Sequence, residues 1–196
     1  MEKDDLIVND ILTGAKLLFA KHGLKKTTME EIAQAAGKGK STLYYYFPSK
    51  SEIFEAVVEE EMKTFIKKLR HAINSNISAK DKLKAFLGTH LSSVIHYQNL
   101  SSVLKSEIFD SMCVLLAIRQ KYEQTQVDMI KEIILGGVQS GEFKDLSSTM
   151  IDKFSFVAIA AFRGLEFPLA VSHCDLKSEQ YFDVLVDLLI EGIGKK

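Results

Sequence analysis

The sequence has no tryptophan, and only two prolines and two cysteines among 196 residues. So few prolines leave the backbone N–H groups free for long helices. Cys113 and Cys174 lie far apart and form no CxxC, which points away from a disulfide framework or a thiolate metal site. No apolar run reaches the ~18 to 20 residues that span a bilayer. The opening MEKDDLIVND is acidic and lacks the basic-then-apolar order of a signal peptide. The chain is therefore expected in the cytoplasm, off the membrane, with reduced thiols. HExxH, GxSxG, P-loop and GxGxxG strings are missing as well. His90 and His96 are not at same-face helical spacing, and Cys113 has no partner nearby in sequence. The expectation is a protein that is not an enzyme and needs no cofactor or metal.

Charge is nearly balanced overall, at −1, but unevenly spread. From Lys21 to Lys50 six lysines stand against Glu30 and Glu31, a local +4. Residues 51–196 carry 17 basic and 20 acidic groups, or −3. A confined basic patch suits a DNA-facing surface; a solvated lysine-rich face is the plainer alternative.

What is present in quantity is helical periodicity. Ile7, Ile11, Ala15, Leu18 and Phe19 share one face of a helix over about 5–22, ended by Gly23. Thr28 and Glu31 make a capping box for a second helix with Met29, Ile32, Ala33 and Ala36 on its apolar side. Gly37 stops it, Lys38-Gly39 turns, and Ser41–Phe47 forms a third short helix with Leu43 and Phe47 inward. Two short helices, a glycine turn and small alanines at the contact suit a helix-turn-helix. Pro48 ends the third helix. Ser49 and Glu52 cap a fourth, carried to about residue 72 by Ile53, Phe54, Val57, Val58, Phe65, Ile66 and Leu69.

In order, Phe19-Ala20-Lys21-His22-Gly23, Thr27-Thr28-Met29-Glu30-Glu31-Ile32-Ala33, Gly37 to Phe47 and Ser49-Lys50-Ser51-Glu52 resemble the TetR family of bacterial transcription regulators. The resemblance covers about residues 5–60, with Tyr46 standing where the family often has histidine. It implies a helix-turn-helix domain over residues 1–50, a connecting helix over 50–72, and a ligand-binding and dimerisation domain over 51–196. On DNA, the third helix would enter the major groove with Lys40, Ser41 and Thr42 nearest the base edges. Lys40 can reach guanine O6 or N7, and the hydroxyls serve either base type. Tyr44, Tyr45 and Tyr46 are consecutive, so they cannot all face the core; one or two would reach phosphates. Thr27 and Thr28 sit at a helix N-terminus suited to a phosphate. Lys38 is a further candidate, with a solvated lysine as the alternative, and Lys50 is a phosphate cation by resemblance.

The rest reads as further helices, giving an all-α fold of about nine. Residues 74–79 form a linker, and Ser78 with Asp81 caps a helix containing Leu83, Phe86, Leu87, His90, Leu91 and Val94. An apolar segment over Ile108–Ala117 is separate from a long helix over about 119–140. A helix over 149–167 holds the unbroken run Phe156–Phe162 and is ended by Pro168; a last helix covers 178–192. By the family resemblance these last two form a homodimer interface, placing two recognition helices on a palindromic double-stranded operator. Phe65, His90, Tyr97, Phe109, Met112, Tyr122 and Phe162 are candidate liners of a pocket for a hydrophobic or amphipathic effector; ordinary core packing is the alternative for each. The leading expectation is a repressor released by such a ligand. The others are a DNA-binding regulator governed by a protein partner or expression level, and a helical interaction module that does not bind DNA.

Overall fold

The computed structural model describes residues 2–96, 112–171 and 178–194. Among these, eight helices follow in order: α1 Glu2–Lys26, α2 Met29–Ala35, α3 Lys40–Tyr46, α4 Lys50–Asn74, α5 Ala79–His96, α6 Met112–Ser140, α7 Ser148–Val171 and α8 Ser178–Ile193. The described residues contain no strand, only an isolated bridge between Phe143 and Gly194. No described helix is long and apolar enough to cross a membrane.

The local stops and caps act where the sequence puts them. Gly23 breaks α1 at φ 78°, ψ 168°, and a last helical turn follows to Lys26. Thr28 and Glu31 form the reciprocal box: the Thr28 amide donates to the Glu31 carboxylate at 2.8 Å, and the Glu31 amide donates to Thr28 Oγ1 at 3.2 Å. Such a cap stabilises a helix by about 1 kcal/mol, which matters for a helix of only seven residues. Gly37 takes φ 63° at the turn, a conformation that costs a residue with a Cβ far more.

Two expected boundaries are corrected. The segment expected to break between Ala117 and Arg119 is continuous, since α6 runs from Met112 to Ser140. Ile118-Arg119-Gln120 contains no breaker, and arginine and glutamine are good helix formers. Pro168 does not end α7, which continues to Val171. In the last turn proline removes one helical hydrogen bond and little helix remains to be disrupted.

The described residues divide into two compact units, within α4 and again within α6: residues 2–63 and 112–119 in one, residues 64–96, 120–171 and 178–194 in the other. In the first, Ile11, Ala15 and Phe19 of α1 are buried with Ile32, Leu43, Ile53, Phe54 and Val57. Phe19 and Phe54 meet edge to face at 5.5 Å. Ile7, Leu18 and Phe47, expected inward, are half-buried. Gly14 brings α1 close to α2: a Cβ there would lie 3.1 Å from the Ala35 carbonyl carbon and the Ala36 nitrogen. In the second unit, α5 packs against α7 and α8. The Glu142 carboxylate accepts from the Ala79 and Lys80 amides at 3.0 and 3.2 Å, capping α5 beside the Ser78–Asp81 cap.

Candidate nucleic-acid interface

The short helix α3 buries Leu43 completely and leaves most of its other side chains on the surface. One buried apolar anchor thus leaves much of a short helix, packed on α2, at the surface. Ser41, Tyr44 and Tyr45 are exposed and Thr42 is half-buried. Tyr45 is 81% exposed, with its ring edge-on to Tyr46 at 5.0 Å. An exposed phenol of this kind has both an apolar ring and a hydroxyl to offer a DNA backbone.

The charged groups are more engaged than the sequence suggests. Lys40 Nζ is paired with the Glu30 carboxylate of α2 and lies 5.9 Å from the centre of the Tyr44 ring. The hydrogen bond between them holds Glu30 below the usual carboxylate range and raises Lys40 above the usual lysine range. Lys38 pairs with Asp10 of α1 at 2.8 Å. The Tyr46 hydroxyl donates to Asp4 at 2.5 Å, and that bond pushes the phenol up to about 12. Lys50 Nζ donates to the Thr27 and Lys25 carbonyls at 2.6 and 3.2 Å, tying the start of α4 to the α1–α2 link.

Thr27 is placed differently from its expected role. Its side chain is buried, 1% exposed, and its hydroxyl donates to the Gly23 carbonyl at 2.8 Å. It closes the break after α1 and presents no hydroxyl to a phosphate. Thr28 is exposed at the α2 N-terminus, with its hydroxyl occupied by the capping box. Lys40, Ser41, Thr42, Tyr44, Tyr45 and Tyr46 thus share one short helix, with Lys38 at its entry and Lys50 just beyond it. The acidic partners Asp4, Asp10 and Glu30 carried no sequence signal, because pairing across 10 to 42 residues is invisible to a local pattern.

Of the pocket candidates, Tyr97 and Phe109 lie outside the described residues, as does the side chain of Met112. Phe65, His90 and Phe162 come together. His90 is 2% exposed, with ring centres of Phe65, Phe162 and Phe86 at 5.2, 5.6 and 6.1 Å. Its Nε2 is 2.8 Å from Gln126 Oε1, and Gln126 in turn donates to the Tyr122 carbonyl at 3.3 Å. Tyr122 itself is half-buried. A polar pair is therefore enclosed by aromatic rings. Nearby on the second unit, Arg163 pairs with Glu123. A separate cleft of about 290 Å³, lined by Ile73, Lys82, Met129, Glu132 and Glu142 among others, contains none of these candidates.

Each of the last two helices leaves large apolar side chains open. Met150, Phe156 and Val157 of α7 and Val184 and Leu188 of α8 are 52–62% exposed. Ser155, Ala158, Ile159 and Phe162 form the buried side of α7. The unbroken apolar run is thus covered on one side only within a single chain.

Residues 11–57 match the model of bacterial regulatory proteins of the tetR family, and residues 58–161 match that of the YsiA-like protein C-terminal region. The chain is 30% identical over 138 residues to the fatty acid metabolism regulator protein of Bacillus subtilis (strain 168), covering 69% of this chain and 70% of that one. A transcriptional regulator from Cytophaga hutchinsonii has a similar structure, with TM-score 0.79, 27% identity and full coverage of both chains. The fold is also that of FadR from Bacillus subtilis, solved in complex with stearoyl-CoA, with TM-score 0.70, 23% identity and 94% and 98% coverage of the two chains. The two family-model matches, with the relative at 30% identity and the capped, glycine-turned pair of short helices in the first matched segment, identify this chain as a member of the tetR family of bacterial regulatory proteins, a DNA-binding regulator of transcription.

Proposed function

We propose that this regulator is a dimeric, cytoplasmic repressor that leaves a palindromic operator when a long-chain acyl ligand binds its second unit. The observation that carries the DNA half is α3, anchored by the buried Leu43 and presenting Lys40, Ser41, Tyr44 and Tyr45 outward. Supporting the dimer is the apolar face of Phe156, Val157, Val184 and Leu188, which a second copy would remove from water. Two copies of α3 would then enter major grooves about 34 to 36 Å apart, or a multiple of that.

Supporting the ligand is the enclosed His90–Gln126 pair among Phe65, Phe86 and Phe162. Apolar walls with a few convergent polar groups are the usual make-up of a small-molecule site. The acyl class follows from the similarity to a fatty acid metabolism regulator and to a structure holding stearoyl-CoA. Release requires that the ligand bind the DNA-incompetent arrangement more tightly than the DNA-bound one; occupancy alone shifts nothing.

The test is selection of bound fragments from the source genome, followed by titration of the complex with stearoyl-CoA, stearic acid or coenzyme A. One enriched palindromic fragment, released by an acyl compound and not by coenzyme A, is expected. Enrichment without release by either acyl compound would remove the ligand and favour control by a protein partner or by expression level.

A further inference from the structure

Three groups around the DNA-facing helix are already held by carboxylates of its own unit: Lys40 by Glu30, Lys38 by Asp10 and Tyr46 by Asp4. Lys40 is the informative case, because it opens α3 and is a candidate base reader. Its pair with Glu30 joins α2 to α3 across the turn, and both side chains are 58% exposed. Exposed lysines near DNA ordinarily add to phosphate attraction, which is blind to sequence.

We propose that Glu30 is a specificity-determining residue, holding Lys40 as a charge-neutral pair that phosphates attract weakly and a guanine edge can still use. The reasoning rests on the DNA-binding reading of α3. An ammonium has three donors. Glu30 takes one, leaving two for the O6 and N7 acceptors of a guanine. A base edge carries no net charge, so Glu30 can remain paired while Lys40 reads it. A phosphate is different: drawing Lys40 to it sets the Glu30 carboxylate beside an anion, and like charges at close range oppose the contact. On random duplex Lys40 therefore stays with Glu30 and neutralises no phosphate. On the operator it binds a base without giving Glu30 up. The nearby Tyr44 ring keeps the ammonium at the helix entry. Glu30 acts through Lys40 and is a positioning residue; the capping box of α2 belongs to Glu31 and does not depend on it.

The experiment uses the full chain as wild type, Glu30→Gln, Glu30→Asp, Lys40→Met and the Glu30→Gln/Lys40→Met double variant. The duplexes are the fragment selected by the wild type and a shuffled duplex of equal length, from 50 to 200 mM salt. Freed in Glu30→Gln, Lys40 gains one phosphate on shuffled DNA. The logarithmic salt slope then steepens by about 0.9, a further ~3.5-fold loss across that range. At the low-salt end Glu30→Gln binds shuffled DNA about 5-fold tighter, while operator affinity changes less than about 2-fold. Glu30→Asp behaves as wild type, and in the Lys40→Met background Glu30→Gln has no effect. An unchanged slope, an equal gain on both duplexes, or a gain that survives in Lys40→Met would overturn the proposal. Failure of the DNA-binding reading shows separately, as a wild-type chain that enriches no fragment.

Discussion

Gly137→Ala tests the packing of the second unit most sharply, because its neighbour Gly136 is a built-in control. A Cβ on Gly137 would lie 2.1 Å and 2.4 Å from Phe143 Cδ2 and Cε2, and 2.8 Å from Ala79 Cβ. Carbon atoms at rest sit about 3.5 to 4.0 Å apart, so the ring must withdraw by more than an ångström. It has little freedom to do so. Phe143 is 1% exposed, its amide donates to the Gly137 carbonyl at 2.9 Å, and the Lys144 amide donates to Ile193 at 2.8 Å. Overpacking of this kind costs about 1 to 3 kcal/mol, and full loss of the phenylalanine packing would cost about 3 to 5 kcal/mol. Alanine returns about 1 kcal/mol of helix propensity. The net expectation for Gly137→Ala is a loss of about 2 kcal/mol. Gly136 has nothing within 4 Å of an added Cβ and is exposed, so Gly136→Ala gains about 0.5 to 1 kcal/mol. Urea unfolding at one fixed protein concentration measures both. A gap of about 3 kcal/mol between the two variants is expected. Equal shifts, or a stabilised Gly137→Ala, would refute the close approach of Phe143.

Three other outcomes follow from particular contacts. The Ala79 amide, then those of Lys80 and the Ser140 hydroxyl, hold Glu142 below the usual carboxylate range. Its contribution to stability is therefore complete above the unfolded value near about 4.3 and lost as pH falls through the lower folded value; Glu142→Gln should flatten that acid limb of an unfolding-versus-pH series. Tyr46, pushed up to about 12 by its bond to Asp4, should ionise well above the usual phenol value of about 10 in an ultraviolet titration. Asp4→Asn should bring it back toward about 10, and a titration unmoved by that change would remove the bond. Leu188→Glu, on the open apolar face, should shift sedimentation from dimer to monomer without unfolding the chain; an unchanged dimer would place the interface elsewhere.

Local chemistry was legible in the sequence, and chemistry between distant segments was not. Thr28 with Glu31, the break at Gly23 and the turn at Gly37 depend on neighbours within a few residues, and each is found where the pattern puts it. Leu43 and the buried stripe of Ile11, Ala15 and Phe19 follow from helical spacing alone. Pro168 was expected to end its helix, but a proline in a last turn disrupts little, and the apolar segment to Ala117 runs on into the helix expected from Arg119 because no breaker separates them. Thr27 looked like a phosphate donor because its partner, the carbonyl of Gly23, belongs to a kink whose path no periodicity gives. The hold of Lys50 on Thr27, the cap of Glu142 on α5 and the close approaches at Gly14 and Gly137 all join segments 20 or more residues apart, or depend on a turn bringing a ring back onto its helix. Gln126 was missed as the partner of His90 for the same reason.

The assignment of α3 as the DNA reader is tested most directly by a Lys40→Ala/Tyr45→Ala chain titrated against the wild type's selected fragment at several salt concentrations. Loss of a base contact from Lys40 costs about 1 to 3 kcal/mol, or roughly 5- to 150-fold in affinity. Loss of a phosphate contact from Tyr45 weakens binding without regard to sequence. The expected result is a fall of at least about 10-fold on the selected fragment, with the fold retained by helical content and unfolding midpoint. Binding as tight as wild type at every salt concentration would contradict it.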